Sequence, residues 1–238
     1  MRGKADPDWK QLVQSWKDRQ QELRERMIVA PLRPLPRFIA GADAAFSSDK
    51  STVFAAAVVY DRMDQRIIEV QHTVRAVDVP YIPGFLTFRE GPAVRAAIEK
   101  LRHPFGVICF DGHGYAHPRR CGLASHLAIE MDVPGIGCAK SLFIGTFNDP
   151  APSAGATAPL MDKQEQIGLV LRTREKCRPI FLSIGHRVDL PSAQALALAC
   201  CTRYRIPEPT RQADIEVAKL KKSVSATDGA RIDTDKKT

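Results

Sequence analysis

Phe38-Ile39-Ala40-Gly41-Ala42-Asp43-Ala44-Ala45-Phe46 is an apolar run of small and aromatic residues interrupted by one carboxylate. Its composition predicts a buried strand, in which an Asp is disfavoured unless a charge or several donors compensate it. The next run is Thr52-Val53-Phe54-Ala55-Ala56-Ala57-Val58-Val59-Tyr60-Asp61, and a third, less cleanly alternating stretch covers 66–75. The polar breaks at 48–50 and 62–65 are short enough for tight turns. Strands over 38–47, 52–61 and 66–75 therefore read as an antiparallel meander. Upstream, Trp9, Leu12, Val13, Trp16, Leu23 and Met27 form a helical stripe, which predicts an amphipathic helix over about 6–28, with Pro31, Pro34 and Pro36 in the connector after it.

Working outward in the other direction, Val94, Ala97, Ile98 and Leu101 mark a second helix. The run 106–110 reads as a buried parallel strand that ends in Asp111. A helix over roughly 122–131 and a strand over 134–139 follow. The segment 148–159, rich in Ala, Pro, Ser and Gly, reads as a surface loop. Strands over 167–173 and 180–184, a helix from Pro191 to about Tyr204 and a last helix over 210–222 complete the order. From Ser223 onward the chain is polar and reads as a frayed tail. A meander followed by alternating elements predicts an α/β fold: a mixed sheet, antiparallel meander plus parallel strands, flanked by helices. The expected organisation is one domain over 1–222 and a tail over 223–238.

With 44% hydrophobic and 26% charged residues among 238, the chain can bury a core, which excludes global disorder. A net charge of +8 favours a polyanionic partner such as nucleic acid. No stretch approaches the roughly 20 consecutive apolar residues of a membrane span, and no apolar signal core stands near the N-terminus. The six cysteines form no C-x-x-C pair, so the expectation is free thiols in a reducing cytoplasm and no zinc site.

The candidates for chemistry have unequal local support. Asp43 has small apolar neighbours on both sides and no turn to explain it. Asp111, before Gly112, also suits an ordinary strand-end turn. Glu90 has capping-box spacing from Thr87 ahead of an amphipathic helix, and the residues alone favour that cap. In the loop after Asp111, His113 and His117 are four apart, but Gly114 and Pro118 argue against the helix that would align them on zinc. Arg119 and Arg120 sit where they could meet a phosphate or simply face solvent. Lys140 follows a strand end, a place suited either to a crevice or to plain exposure. Pro80-Tyr81-Ile82-Pro83 is a stiff apolar tip, suited to wedging between bases or to packing on its own domain.

Taken in order, Gly41-Ala42-Asp43, Pro80-Tyr81-Ile82-Pro83-Gly84, Phe88-Arg89-Glu90-Gly91-Pro92, Asp111-Gly112, Ala116-His117-Pro118-Arg119, Gly122-Leu123-Ala124-Ser125-His126, Ala139-Lys140-Ser141, Ser183-Ile184-Gly185-His186-Arg187 and Pro207-Glu208-Pro209-Thr210-Arg211 resemble the endonuclease V family. These are deoxyinosine 3′-endonucleases of the ribonuclease H-like superfamily. The resemblance spans Asp43 to about Arg211. It implies Asp43 and Asp111 as metal ligands, with Glu90 as the third carboxylate of the set. It implies Tyr81 as a wedge tip within 80–83, and Gly84, Leu86, Gly112, Gly122 and Ala139 near a pocket for extruded hypoxanthine. Lys140 and His117 would lie beside the reacting phosphate. Several family members carry a histidine in the helix after the Pro-Glu-Pro-Thr-Arg motif, whereas this chain has Asp214, which would make a four-acid cluster suited to Mg²⁺.

The activity implied is Mg²⁺-dependent hydrolysis, Mn²⁺ substituting, of the second phosphodiester bond 3′ to deoxyinosine in DNA by a monomer. The products would carry 3′-hydroxyl and 5′-phosphate ends. An inosine-directed ribonuclease on the same scaffold is the nearer alternative; a silent lesion-binding module is the more distant one, disfavoured because every implied carboxylate is present.

Overall fold

The computed structural model describes residues 7–234. Helix α1 (Pro7–Glu25) precedes the meander β1 (Phe38–Phe46), β2 (Thr52–Asp61) and β3 (Arg66–Ala76). Then come α2 (Leu86–Ile98), β4 (Val107–Phe110), α3 (Leu123–Glu130) and β5 (Gly135–Ala139). The hairpin β6 (Thr157–Asp162) and β7 (Glu165–Leu171), β8 (Ile180–His186), α4 (Leu190–Cys200) and α5 (Glu208–Thr234) follow. All eight strands form one sheet, in the order β3-β2-β1-β4-β5-β8-β7-β6. β1 is antiparallel to β2 and β2 to β3, while β1–β4 and β4–β5 are parallel. The expected mixed sheet is present.

Strand alternation sorts the core into two layers. Ala40, Ala42, Ala55, Ala57, Ile108 and Phe110 face α2 and α3, together with Ala93, Val94, Ala97 and Leu127. Ile39, Tyr60, Val107, Cys109, Ile136 and Leu182 face α4, through Ala193, Leu196 and Ala197. Phe54 and Ala56 meet Val217 of α5. Small residues in β1 and β2 let helices approach closely on both sides. Gly41 is the extreme case, because a Cβ there would lie 2.1 Å from the carbonyl oxygen of Pro209. That contact seats the first turn of α5 on β1, two residues from Asp43.

Four sequence expectations are corrected. The Thr87–Glu90 capping box is absent: both residues lie within α2, whose N-cap is Phe85 with no side-chain cap. The stretch 148–159, read wholly as loop, ends inside β6, which starts at Thr157. β6 is an edge strand, where Pro159 can face away from the ladder. Helix α4 ends at Cys200 rather than near Tyr204. Helix α5 continues to Thr234, into the stretch read as a tail from Ser223; residues 235–238 lie outside the described residues. All six cysteines are free, four of them buried. No helix among the described residues is long and apolar enough to cross a membrane.

Candidate active site

Asp43 belongs to the face of β1 that also carries Ile39 and Gly41, toward α5. Parallel pairing sets Ala42 beside Phe110, and the Asp111 amide donates to the Ala42 carbonyl at 3.0 Å. The next residue along each chain segment, Asp43 within β1 and Asp111 just past β4, is an acid, so the register brings the two carboxylates side by side. Asp214 joins them from α5, held there by the Gly41–Pro209 contact. One oxygen from each of Asp43, Asp111 and Asp214 lies within 4.8 Å of the others.

Lys140, one residue beyond β5, reaches 2.5 Å from Asp111 Oδ2 and 2.8 Å from Asp214 Oδ2. Burial works against its ammonium, but bonds to these two acids prevail and hold its pKa above the ordinary lysine range. The sequence left Lys140 equally explained by exposure, and the structure commits it to the acids.

One cation does not neutralise the cluster. Burial, followed by the charge of Asp111, pushes the Asp43 carboxyl up to about 8, against the pull of Lys140. Burial also raises Asp111, despite its bond to Lys140. Glu90, on α2 and only 7% exposed, is pushed up to about 8 by burial and by the charges of Asp43 and Asp111. Carboxylates that resist ionisation in this way call for further positive charge. Their hard oxygen donors suit a divalent cation such as Mg²⁺ or Mn²⁺ rather than a soft metal.

Beside the acids is a cavity of about 220 Å³. Glu90 and Asp111 line its acid side, Tyr81, Gly84 and Leu86 one wall, and Gly112, His117, Gly122 and Leu123 the other. His113 and the segment Ser141-Leu142-Phe143 also line it, and sequence reasoning assigned neither to the pocket. Tyr81 is 60% exposed at the rim. Pro80 and Ile82 turn instead toward Trp9, Val13 and Lys17 of α1, so of the apolar tip only Tyr81 reaches the cavity. Ala139 does not line it, being packed with Ala116 and Phe181 under the β5 end.

The loop after Asp111 is wired differently from the expectation. The His117 ring accepts from the Arg119 amide at Nδ1 (3.2 Å), which leaves Nε2–H to donate to the Gly84 carbonyl (3.1 Å). Burial and the nearby Arg119 charge push its pKa down to about 3, so the ring is neutral at ordinary pH. It braces the pocket wall through the Gly84 carbonyl. His113 donates from Nε2 to the Ser141 carbonyl at 3.0 Å, and burial lowers its pKa. Arg119 lies over the Phe85 ring at 4.0 Å and donates to Gly84. Arg120 is buried against Asp162 and Glu165 of the β6–β7 hairpin, each at 2.7 Å. Both arginines have protein partners, so neither is the plain solvated charge that is one of the two sequence readings.

A mixed sheet with one acid inside β1, another just past the end of the adjacent parallel strand β4, a lysine bonded to the cluster and a cavity alongside defines a ribonuclease H-like nuclease whose carboxylates could hold a divalent metal ion. The comparisons make this specific. The Endonuclease V family model matches residues 21–215. Endonuclease V of Roseiflexus sp. is 44% identical over 209 residues, covering 88% of this chain and 93% of its own. The crystal structure of Streptomyces avermitilis endonuclease V superposes with a TM-score of 0.85 at 42% identity, over 89% of this chain and 94% of that one. A Ciona intestinalis endonuclease V, solved with a 24mer DNA containing an inosine followed by a ribo-adenosine, is 26% identical, with a TM-score of 0.77 over 90% of this chain and 99% of that one. The chain belongs to the endonuclease V family.

Proposed function

We propose that the protein recognises deoxyinosine in DNA and hydrolyses the second phosphodiester bond on its 3′ side in a Mg²⁺-dependent reaction. Mn²⁺ substitutes, and the products carry 3′-hydroxyl and 5′-phosphate ends. The observation that carries this reading is the shared wall: Glu90 and Asp111 belong both to the acid cluster and to the cavity lining. A base in the cavity would bring the strand's phosphates past the acids.

Asp43, Asp111 and Asp214 would hold the cation; Glu90, which the resemblance implies as the third ligand, lies outside that trio and would act on it through its charge. A bound divalent ion supplies electrophilic stabilisation of the phosphate and lowers the pKa of water. Lys140 stays protonated and adds a positive charge at the cluster's open edge. Tyr81 would fill the gap left by the extruded base, as exposed apolar side chains do when they unstack a step. Gly84, Leu86, Gly112 and Gly122 would enclose that base, with His117 neutral and holding the wall in place. The surplus of basic residues would add salt-dependent affinity for the strand. The protein would act as a monomer through one catalytic domain that runs on into α5, past the expected boundary at 222. Six free thiols fit a cytoplasmic setting.

The ribo-adenosine after inosine in the Ciona complex makes cleavage of RNA the second reading. The test is nicking of matched deoxyinosine-DNA and inosine-RNA strands, with Mg²⁺ and with chelator. The expected outcome is a metal-dependent nick in DNA at the second 3′ bond. Binding without nicking would overturn the enzymatic reading, and preferential cleavage of RNA would replace the substrate.

A further inference from the structure

The two walls of the cavity are far apart in sequence, and a side chain from α1, outside the sheet, ties them together. Gln20 is fully buried, at 0% exposure. Its Nε2 donates to the carbonyl of Gly84 at 3.2 Å and to that of Cys121 at 2.9 Å. Its Oε1 accepts from Arg119 Nε at 2.5 Å. The same Gly84 carbonyl accepts from Arg119 Nη2 at 2.5 Å and from His117 Nε2 at 3.1 Å. Gly84 belongs to one wall, and Cys121 precedes Gly122 in the other.

Packing explains why α1 docks here, but not why its docked face carries an amide. Trp16 stacks on Phe88 with ring centroids 4.7 Å apart and planes 11° from parallel, and Leu23 is buried against Cys121 and Ile129. These contacts fix α1 to the helix that bears Glu90 and to the far wall. A leucine at position 20 would dock without the cost of burying a polar group. The amide instead satisfies backbone carbonyls on both walls at once, and a fully satisfied buried polar network specifies one geometry.

We propose that Gln20 is a specificity-determining positioning residue, which fixes the separation of the two pocket walls and so makes α1 part of base recognition. The proposal rests on the cavity being the base site. Hypoxanthine differs from adenine at its hydrogen-bonding edge, and a pocket discriminates such edges only when its polar groups are held in place. Gln20 precedes the residues matched by the family model, which start at 21.

The test compares Gln20→Met, Gln20→Glu and the pocket-wall variant Leu86→Trp. The readout is the ratio of kcat/KM on an inosine-containing duplex to that on an undamaged duplex. Met keeps the length of the side chain and donates to neither carbonyl. Glu keeps an acceptor for Arg119 and turns carboxylate oxygens on the carbonyls. Both Gln20 variants are expected to lower the ratio by about tenfold or more, chiefly through KM on inosine DNA, with faster amide exchange in residues 80–86. An unchanged ratio in Gln20→Met, while Leu86→Trp lowers it, overturns the tie and leaves the base site standing. An unchanged ratio in all three variants removes the base site itself. If Gln20→Met fails to fold, Gln20→Glu decides by the same criterion.

Discussion

Gly41 and Pro209 touch so closely that no side chain fits between them, a Cβ at 41 coming within 2.1 Å of the Pro209 carbonyl oxygen. The neighbour is backbone and opens a helix, so it cannot yield by a rotamer change. Gly41→Ala should push the first turn of α5 off β1 and carry Asp214 away from Asp43 and Asp111. Overpacking of this kind costs about 1–3 kcal/mol. Thermal denaturation should show the loss, and nicking should fall further than stability alone explains. A variant with wild-type stability and activity would mean that α5 is not seated by this contact.

Lys140 bridges Asp111 and Asp214, which lie on different elements. Lys140→Met removes the only basic side chain seen bonded to either acid among the described residues. Cleavage should fall by about 10²-fold or more, within the range for a positioned catalytic side chain, while affinity for inosine DNA changes little. Equal losses in binding and cleavage would make Lys140 a DNA anchor instead.

The raised carboxyls of Asp43 and Glu90 predict a pH dependence of stability in the metal-free protein. Between the ordinary carboxylate range near 4 and about 8, the folded state holds protons that the unfolded state has released. Stability is therefore favoured at low pH and falls as pH rises through that window. A bound divalent ion replaces those protons. The increase in Tm on adding Mg²⁺ should be larger at pH 8.5 than at pH 5, and Glu90→Gln should reduce that difference. An increment independent of pH would detach the metal from these groups.

Tyr81 stands exposed at the cavity rim, while Pro80 and Ile82 turn toward α1. Tyr81→Ala should weaken discrimination of inosine DNA from undamaged DNA, and Ile82→Ala should do so less. Discrimination unchanged from wild type in Tyr81→Ala would return the tip to a packing role.

Much of this was readable from the chain, for reasons that differ by residue. Asp43 stood out because a carboxylate within a run of alanines has no local explanation. The meander was legible because its breaks are short and its runs β-branched or aromatic. Glu90 read locally as a cap because its three-residue spacing from Thr87 suits a capping box as well as a turn of helix, and only the motifs around it supplied the site. Lys140 and Asp214 are bonded across 74 positions of sequence, and no local pattern encodes such a meeting. Gln20 was invisible for the opposite reason, since a glutamine beside an apolar stripe reads as solvated until its carbonyl partners are seen. β6 was hidden by Pro159, which an edge strand tolerates and a central one does not.

The central claim is that Asp43 and Asp111 hold the cation that drives cleavage. The direct measurement is nicking of an inosine-containing duplex in Mg²⁺ by Asp43→Ala and Asp111→Ala, with binding of the same duplex followed in parallel. The account predicts binding close to wild type and no detectable nick from either variant; unimpaired cleavage by either one would contradict it.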